Sequence, residues 1–261
     1  MSIHQKFGLS QEQQQVSQYS DGAVLLVPAS EGLSGKFITS RISWLLQNQN
    51  VNNDQVLAIT SSDSSKLVKD HLHSVLSDGT EIDSMWIGSI YAIALRLITR
   101  HAKEAGLPSL FQLLDLSTQA KYIKPLVSDK SVTVEQAREY INTMKGRGIR
   151  AKDVAPEGEL SEVYASYERL CNSENLVDFN ELLLRSCELF EASAEVSKQY
   201  REQFMHIVVD DFNTLNYLQY RLLQSLFSND AKVFAVSNTS NGSVSLDKFK
   251  SDFGISKTLT V

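Results

Sequence analysis

The chain has 261 residues, 42% of them hydrophobic and 21% charged, a profile that buries a core and excludes disorder as the dominant state. Its 25 Lys and Arg stand against 31 Asp and Glu, a net charge of -6 that excludes a global attraction for phosphate backbones or anionic membranes. A polar start over Met1 to Gly8, no apolar run near the ~18 residues of a membrane span, and only two cysteines, Cys171 and Cys187, point to a cytoplasmic protein without a disulfide framework or a zinc site.

Short apolar runs at Ala23 to Pro28, Gln55 to Thr60 and Met85 to Tyr91 predict strands buried on both faces. Each is followed by helical spacing, at Lys36 to Gln47, Ser64 to Val75 and Ala92 to Ala105, the alternation of a parallel sheet with crossover helices. From about Lys103 to Tyr200 the text predicts helices and no strand, with apolar stripes over Thr118 to Leu126, Thr133 to Lys145, Leu160 to Cys171 and Phe179 to Phe190. The strands His206 to Asp210 and Lys232 to Ser237, the helix Leu218 to Phe227 and a last strand over Lys257 to Val261 resume the α/β text. One α/β sheet interrupted by a helical insertion is the economical reading. The aromatics Tyr164, Tyr167, Phe179 and Phe190 fall at core spacing, and His71 and His73 point to different helix faces.

Two places carry chemistry. Between the first strand and its helix lies Ser30-Glu31-Gly32-Leu33-Ser34-Gly35-Lys36-Phe37. A P-loop wraps phosphates with glycine-rich backbone, reaches the outer phosphates with Lys and holds magnesium with Ser or Thr. Gly32, Ser34, Gly35 and Lys36 fit that use, whereas Glu31, Leu33 and Phe37 fit a plain strand-to-helix turn. The second place is Asp210-Asp211 at the end of a buried strand, where nucleotide hydrolases keep a metal-holding acid and a water-activating acid. The alternative is a pair of acids capping a helix. Together the two places favour the P-loop ATPase fold.

On these residues the chain resembles the N-terminal half of a UvrD-type superfamily 1 DNA helicase. Leu9-Ser10-Gln11-Glu12-Gln13 matches the adenine-reading Q motif, Leu176 to Arg185 (LVDFNELLLR) matches a framework run, and Tyr200-Arg201-Glu202-Gln203-Phe204 leads into the acid strand. The resemblance implies a RecA-like P-loop domain with a parallel sheet over 1–102 and 201–261 (domain 1A), with an all-helical subdomain inserted at 103–200 (domain 1B). It implies a nucleotide-binding set of Gln13, Gly32, Ser34, Gly35, Lys36 and Arg41, with Asp210 as the metal ligand and Asp210 with Asp211 as the catalytic pair. ATP and Mg are the implied cofactors.

Departures fall on the working motifs. Against the family's AGxGSGKT loop the chain keeps Ser34-Gly35-Lys36 and sets Phe37 at the metal-binding Thr. It reads Thr60-Ser61-Ser62-Asp63-Ser64 for Thr-Phe-Thr-Asn-Lys, and Ser89-Ile90-Tyr91 for Thr-Phe-His. It also reads Asp210-Asp211-Phe212-Asn213-Thr214-Leu215-Asn216 for Asp-Glu-Phe-Gln-Asp-Thr-Asn, and Ser237 to Val244 has lost every acid of Gly-Asp-Asp-Asp-Gln-Ser-Ile-Tyr. Framework kept and working residues changed is the trace of a helicase-like protein with weak or lost ATPase activity. The expectation is a DNA- or protein-binding module of DNA repair or replication, since the chain stops where the family's second RecA-like domain begins. The alternatives are the ATP-binding half of a working helicase and a protein-interaction scaffold.

For DNA, single-stranded or at a junction, the remaining candidates are the hydroxyls of Thr60, Ser62 and Ser89 with Tyr91, and the cations Lys145, Arg147 and Arg150 of a basic loop. That loop is equally a solvated turn. Repair proteins or a second helicase half are the other expected partners, and no membrane is expected.

Overall fold

The computed structural model describes residues 8–26, 33–76, 80–237 and 242–260. In chain order its elements are α1 (Gln11–Ser17), β1 (Ala23–Leu26), α2 (Leu33–Asn48), β2 (Val56–Ile59), α3 (Ser62–Val75), β3 (Trp86–Gly88) and α4 (Ile90–Arg100). Then come β4 (Gln112–Leu114), α5 (Leu116–Ile123), α6 (Val134–Gly146), α7 (Glu159–Glu174), β5 (Leu176–Asp178), α8 (Phe179–Ala192) and α9 (Ala194–Gln203). The chain continues through β6 (His206–Asp210), α10 (Tyr217–Leu226), β7 (Lys232–Ser237), α11 (Leu246–Asp252) and β8 (Lys257–Thr260).

Packing divides the chain into two units, one of residues 1–93, 194–216 and 223–261, the other of residues 94–193 and 217–222. The second segment of the first unit begins with α9, whose Tyr200 ring stands edge-on to Trp86 of β3 at 5.6 Å. This is an α/β fold. The first unit holds a six-stranded sheet in the order β3-β2-β6-β7-β1-β8, with every pairing parallel. Its strands read as unbroken apolar runs because helices cover both faces, leaving no solvent side that would demand a polar alternation. Val24, Leu25, Leu57, Ala58, Val208 and Phe234 are at most 1% exposed. Parallel strands bring all their carboxyl ends to one edge, so Leu26, Ile59, Gly88, Asp210 and Ser237 end there together.

Two expectations need correction. The strand expected over Met85 to Tyr91 stops at Gly88, because the Ser89 hydroxyl accepts from the Ala92 amide at 3.2 Å and starts α4. The stretch expected to hold no strand contains β4 and β5, which pair in parallel with Gln112 opposite Leu176 and Leu114 opposite Asp178. Three residues are too few to show alternation, and each strand gains its partner only from the tertiary fold.

The second unit has its own core of Ile123, Ile141, Val163, Tyr164, Tyr167 and Leu176. Under it lies a charge cluster. Lys145 Nζ sits 2.8 Å from Asp178 Oδ2 and 2.8 Å from Glu181 Oε2, with the lysine side chain 1% exposed. Asp178 also accepts from the Tyr167 hydroxyl at 2.9 Å and caps α8 through the Glu181 amide at 2.8 Å. Arg150 grips Glu188 with two bonds of 2.8 and 2.6 Å and Glu181 at 2.7 Å, and Arg185 reaches Glu181 at 2.7 Å. Burial opposes the charge on Lys145, but Asp178 and Glu181 outweigh it and hold the ammonium above the usual lysine range. Burial likewise opposes ionisation of Glu181, and Lys145, Arg150 and Arg185 outweigh it, holding its carboxyl well below the usual range.

Candidate functional site

The acid of β6 is met from α2. Ser34 Oγ donates a short hydrogen bond to Asp210 Oδ1, so the start of the first crossover helix and the end of β6 converge on one carboxylate. Burial pushes the Asp210 carboxyl up to about 6; the Ser34 bond opposes the rise and the neighbouring Asp211 adds to it. Asp211 turns away from the strand in a left-handed conformation at φ 45°, and its amide donates to Val236 O at 2.8 Å.

This contact corrects the alignment expected for the loop. Phe37, set at the metal-binding hydroxyl, is 0% exposed and belongs to the core with Leu25 and Phe234. The hydroxyl that faces the acid is Ser34, one helical turn earlier on the same face. A P-loop places its Lys directly before that Ser or Thr, and here the residue directly before it is Leu33, which packs against the core. Lys36 stands two residues beyond the hydroxyl, and its Nζ lies 4.0 Å from where a Cβ on Gly8 would sit. It lies beside the segment that leads into α1. A side chain at Gly35 would meet no other protein atom within 4 Å. Gly32 lies outside the described residues.

Gln13 stands at the third position of α1 in a capping box. Its Oε1 accepts from the Ser10 amide at 2.9 Å, and Ser10 Oγ accepts from the Gln13 amide at 3.2 Å. The oxygen keeps a second lone pair and the amide nitrogen its donors. Arg41, expected among the nucleotide contacts, needs correction: it is 1% exposed and donates from Nη1 to the carbonyls of Ser17, at 3.3 Å, and Tyr19. Its guanidinium lies 5.0 Å from the Trp44 ring centroid and 5.1 Å from that of Phe234, too deep to touch a ligand at the sheet edge. Asn213, at the family's Gln, accepts from Ser237 Oγ at 2.7 Å, while its carbonyl accepts from the Val244 amide at 3.3 Å. That side-chain oxygen ties the acid loop to the end of β7.

The DNA candidates fall on both units. In the first, Thr60 is 5% exposed, its amide bonding Gly88 O at 3.0 Å beside Ser89. Ser89 caps α4 and Tyr91 lies half-buried in its first turn; Ser62 opens α3. In the second unit the basic loop needs correction. Lys145 and Arg150 are spent on the buried carboxylates, whose charge would be costly to leave without cations, whereas Arg147 is exposed. Tyr164, Tyr167 and Phe190 are buried as core residues, but Phe179 is 36% exposed, being the first residue of α8 and off its buried stripe. The cluster had a legible signal, since Asp178 precedes Glu181 by three residues at the start of an apolar run, the spacing of a helix cap.

The oxygen pair of Ser34 and Asp210 suits a hard divalent ion such as magnesium. Leu33 supplies no charge for the outer phosphates, so the described residues fit the metal side of a nucleotide site and not its phosphate side. No helix among the described residues is long and apolar enough to cross a membrane.

Among known proteins, the family described as UvrD/REP helicase N-terminal domain matches residues 9–240. DNA helicase II of Haemophilus influenzae is 34% identical over 226 residues, covering 81% of this chain, and DNA helicase II of Escherichia coli is 34% identical over 224 residues, also covering 81%. The ATP-dependent DNA helicase PcrA of Bacillus subtilis is 26% identical over 235 residues, covering 84%. The chain spans 31% of the length of each of these three relatives. With a parallel sheet that carries the acid of β6 against the hydroxyl of α2, and a family match along most of its length, the chain belongs to the UvrD/REP helicase N-terminal domain family.

Proposed function

We propose that this chain is a UvrD-like helicase N-terminal region with lost or weak ATP hydrolysis, serving DNA repair or replication in the cytoplasm as a DNA- or protein-binding module. The observation that carries the reading is Leu33 directly before Ser34, where a P-loop keeps the Lys that neutralises the outer phosphates. Adenine nucleotide and Mg remain the ligands, the base read by Gln13 and the metal held at Asp210 and Ser34, bound without turnover. On this reading the two packed units correspond to the family's domains 1A and 1B. Single-stranded or junction DNA is the partner, with Thr60, Ser62, Ser89 and Tyr91 on one unit and Arg147 on the other. DNA repair proteins or a second helicase half are further partners.

The test is magnesium-dependent ATP hydrolysis with and without single-stranded DNA. The expected rate is background in both. A rate that rises with DNA and disappears in Asp210→Asn refutes the reading and supports a second one, the ATP-binding half of a working helicase. That second reading is favoured by the intact contact between Ser34 and Asp210. A third, a protein-interaction scaffold, is supported if neither nucleotide nor DNA binds.

A further inference from the structure

We propose that Arg41 is a positioning residue for base recognition, tying the short Q-motif helix α1 to the crossover helix α2 so that Gln13 is held in register with Ser34. The inference rests on the nucleotide reading given above.

Helix α1 has seven residues, about 10 Å at 1.5 Å per residue, too short to be stable without tertiary ties. Its carboxyl end is fastened at two adjoining points of α2. Arg41 donates to Ser17 O, a carbonyl that the helix end leaves without a helical partner, and to Tyr19 O just beyond the helix, and Ser17 Oγ lies 2.9 Å from Ser40 Oγ. At the other end, Gly8 lies beside Lys36 of α2, so the two helices run side by side in one direction. Ser34 is on the same α2, two turns before Arg41. One rigid helix therefore sets the place of the residue that reads the base and of the hydroxyl that faces the metal acid.

The burial of Arg41 argues that the tie has a use. A charge 1% exposed is costly, and this one is met by backbone carbonyls and two ring faces, with Nε buried without a hydrogen-bond partner. An apolar side chain would fill the gap between Trp44 and Phe234 without that cost, but would leave the end of α1 unattached. A glutamine amide offers a donor and an acceptor together, the pattern that matches adenine N7 and N6 and mismatches guanine N7 and O6. Such discrimination depends on the placement of Gln13, whereas contacts made by Ser34 and Asp210 are blind to the base.

The experiment measures binding of fluorescent ADP and GDP analogues with Mg to the wild type, Arg41→Met and Arg41→Lys, with a melting curve for each. The wild type is expected to prefer ADP at least tenfold. Arg41→Met should lower ADP affinity to the GDP level and leave GDP unchanged, and Arg41→Lys, which still reaches a carbonyl, should recover part of the preference. Should Arg41→Met fail to fold, the Ser17→Ala/Ser40→Ala double variant removes the second tie alone and should lower the preference about threefold. Equal weakening of ADP and GDP, or an unchanged ratio in a folded variant, overturns the positioning role while leaving the nucleotide reading intact. A wild type that binds neither analogue, or both equally, overturns the base-reading role of Gln13 and this inference with it.

Discussion

Lys145→Met separates a structural lysine from a DNA-contacting one. The substitution keeps most of the side-chain volume and removes the ammonium, leaving Asp178 and Glu181, 4% and 5% exposed, without the cation 2.8 Å from each. Removing one partner of a buried ion pair costs about 3–5 kcal/mol. Asp178 retains the Tyr167 hydroxyl and an α8 amide, and Glu181 retains Arg150 and Arg185, so the lower end, about 3 kcal/mol, applies. For a chain of this size that is a fall in Tm of roughly 6–12 °C. Thermal unfolding followed by circular dichroism reads it, beside a salt titration of single-stranded DNA binding. A lysine on phosphate would instead leave Tm in place and reduce the salt slope by about one unit. A Tm within about 1 °C of wild type refutes the reasoning. The pH dependence is a second readout: Glu181, with its carboxyl held low, adds stability that is present above the unfolded carboxylate range and lost as pH falls. Lys145→Met should therefore lose less stability on acidification than the wild type does.

The raised carboxyl of Asp210 has the opposite sign. A folded-state value near 6 against a usual 3.8 means that stability falls as pH rises between about 4 and 6, so Asp210→Asn should raise Tm at pH 8 while weakening Mg binding; a lowered Tm contradicts this. Gly242→Ala would drive a Cβ into Asn213 O, backbone that moves only with the acid loop, and should cost about 1–3 kcal/mol in a urea melt; a neutral change would show that the loop gives way. Arg147→Ala should leave stability within about 0.5 kcal/mol and lower the salt slope of DNA binding, whereas Arg150→Ala should destabilise by about 3–5 kcal/mol through three carboxylates left behind. Equal melting points for those two variants would contradict the division between them.

The periodicity of the chain determined much of this protein. Apolar runs without polar alternation, bounded by turn signals, read as strands buried on both faces, and their alternation with helical segments pointed to a parallel sheet. The start of α2 and the acid at the end of β6 thereby came to the same edge. The family was legible as well, because framework runs such as Leu176 to Arg185 are long and most of their side chains are buried. What the tertiary structure decided is which residue of each motif faces what. Ser34 and Phe37 lie one turn apart, and only the packing of α2 against the sheet puts the hydroxyl on Asp210 and the ring in the core. Lys145 and Arg150 read as a basic loop because their carboxylates arrive from α7, the end of β5 and α8, 18 to 38 residues away. β4 and β5 were silent for the same reason, since each exists through the other. Local spacing specifies elements, but the partner of a charge or of a three-residue strand is a long-range fact. It is set where burial makes an unpaired group too costly to leave alone.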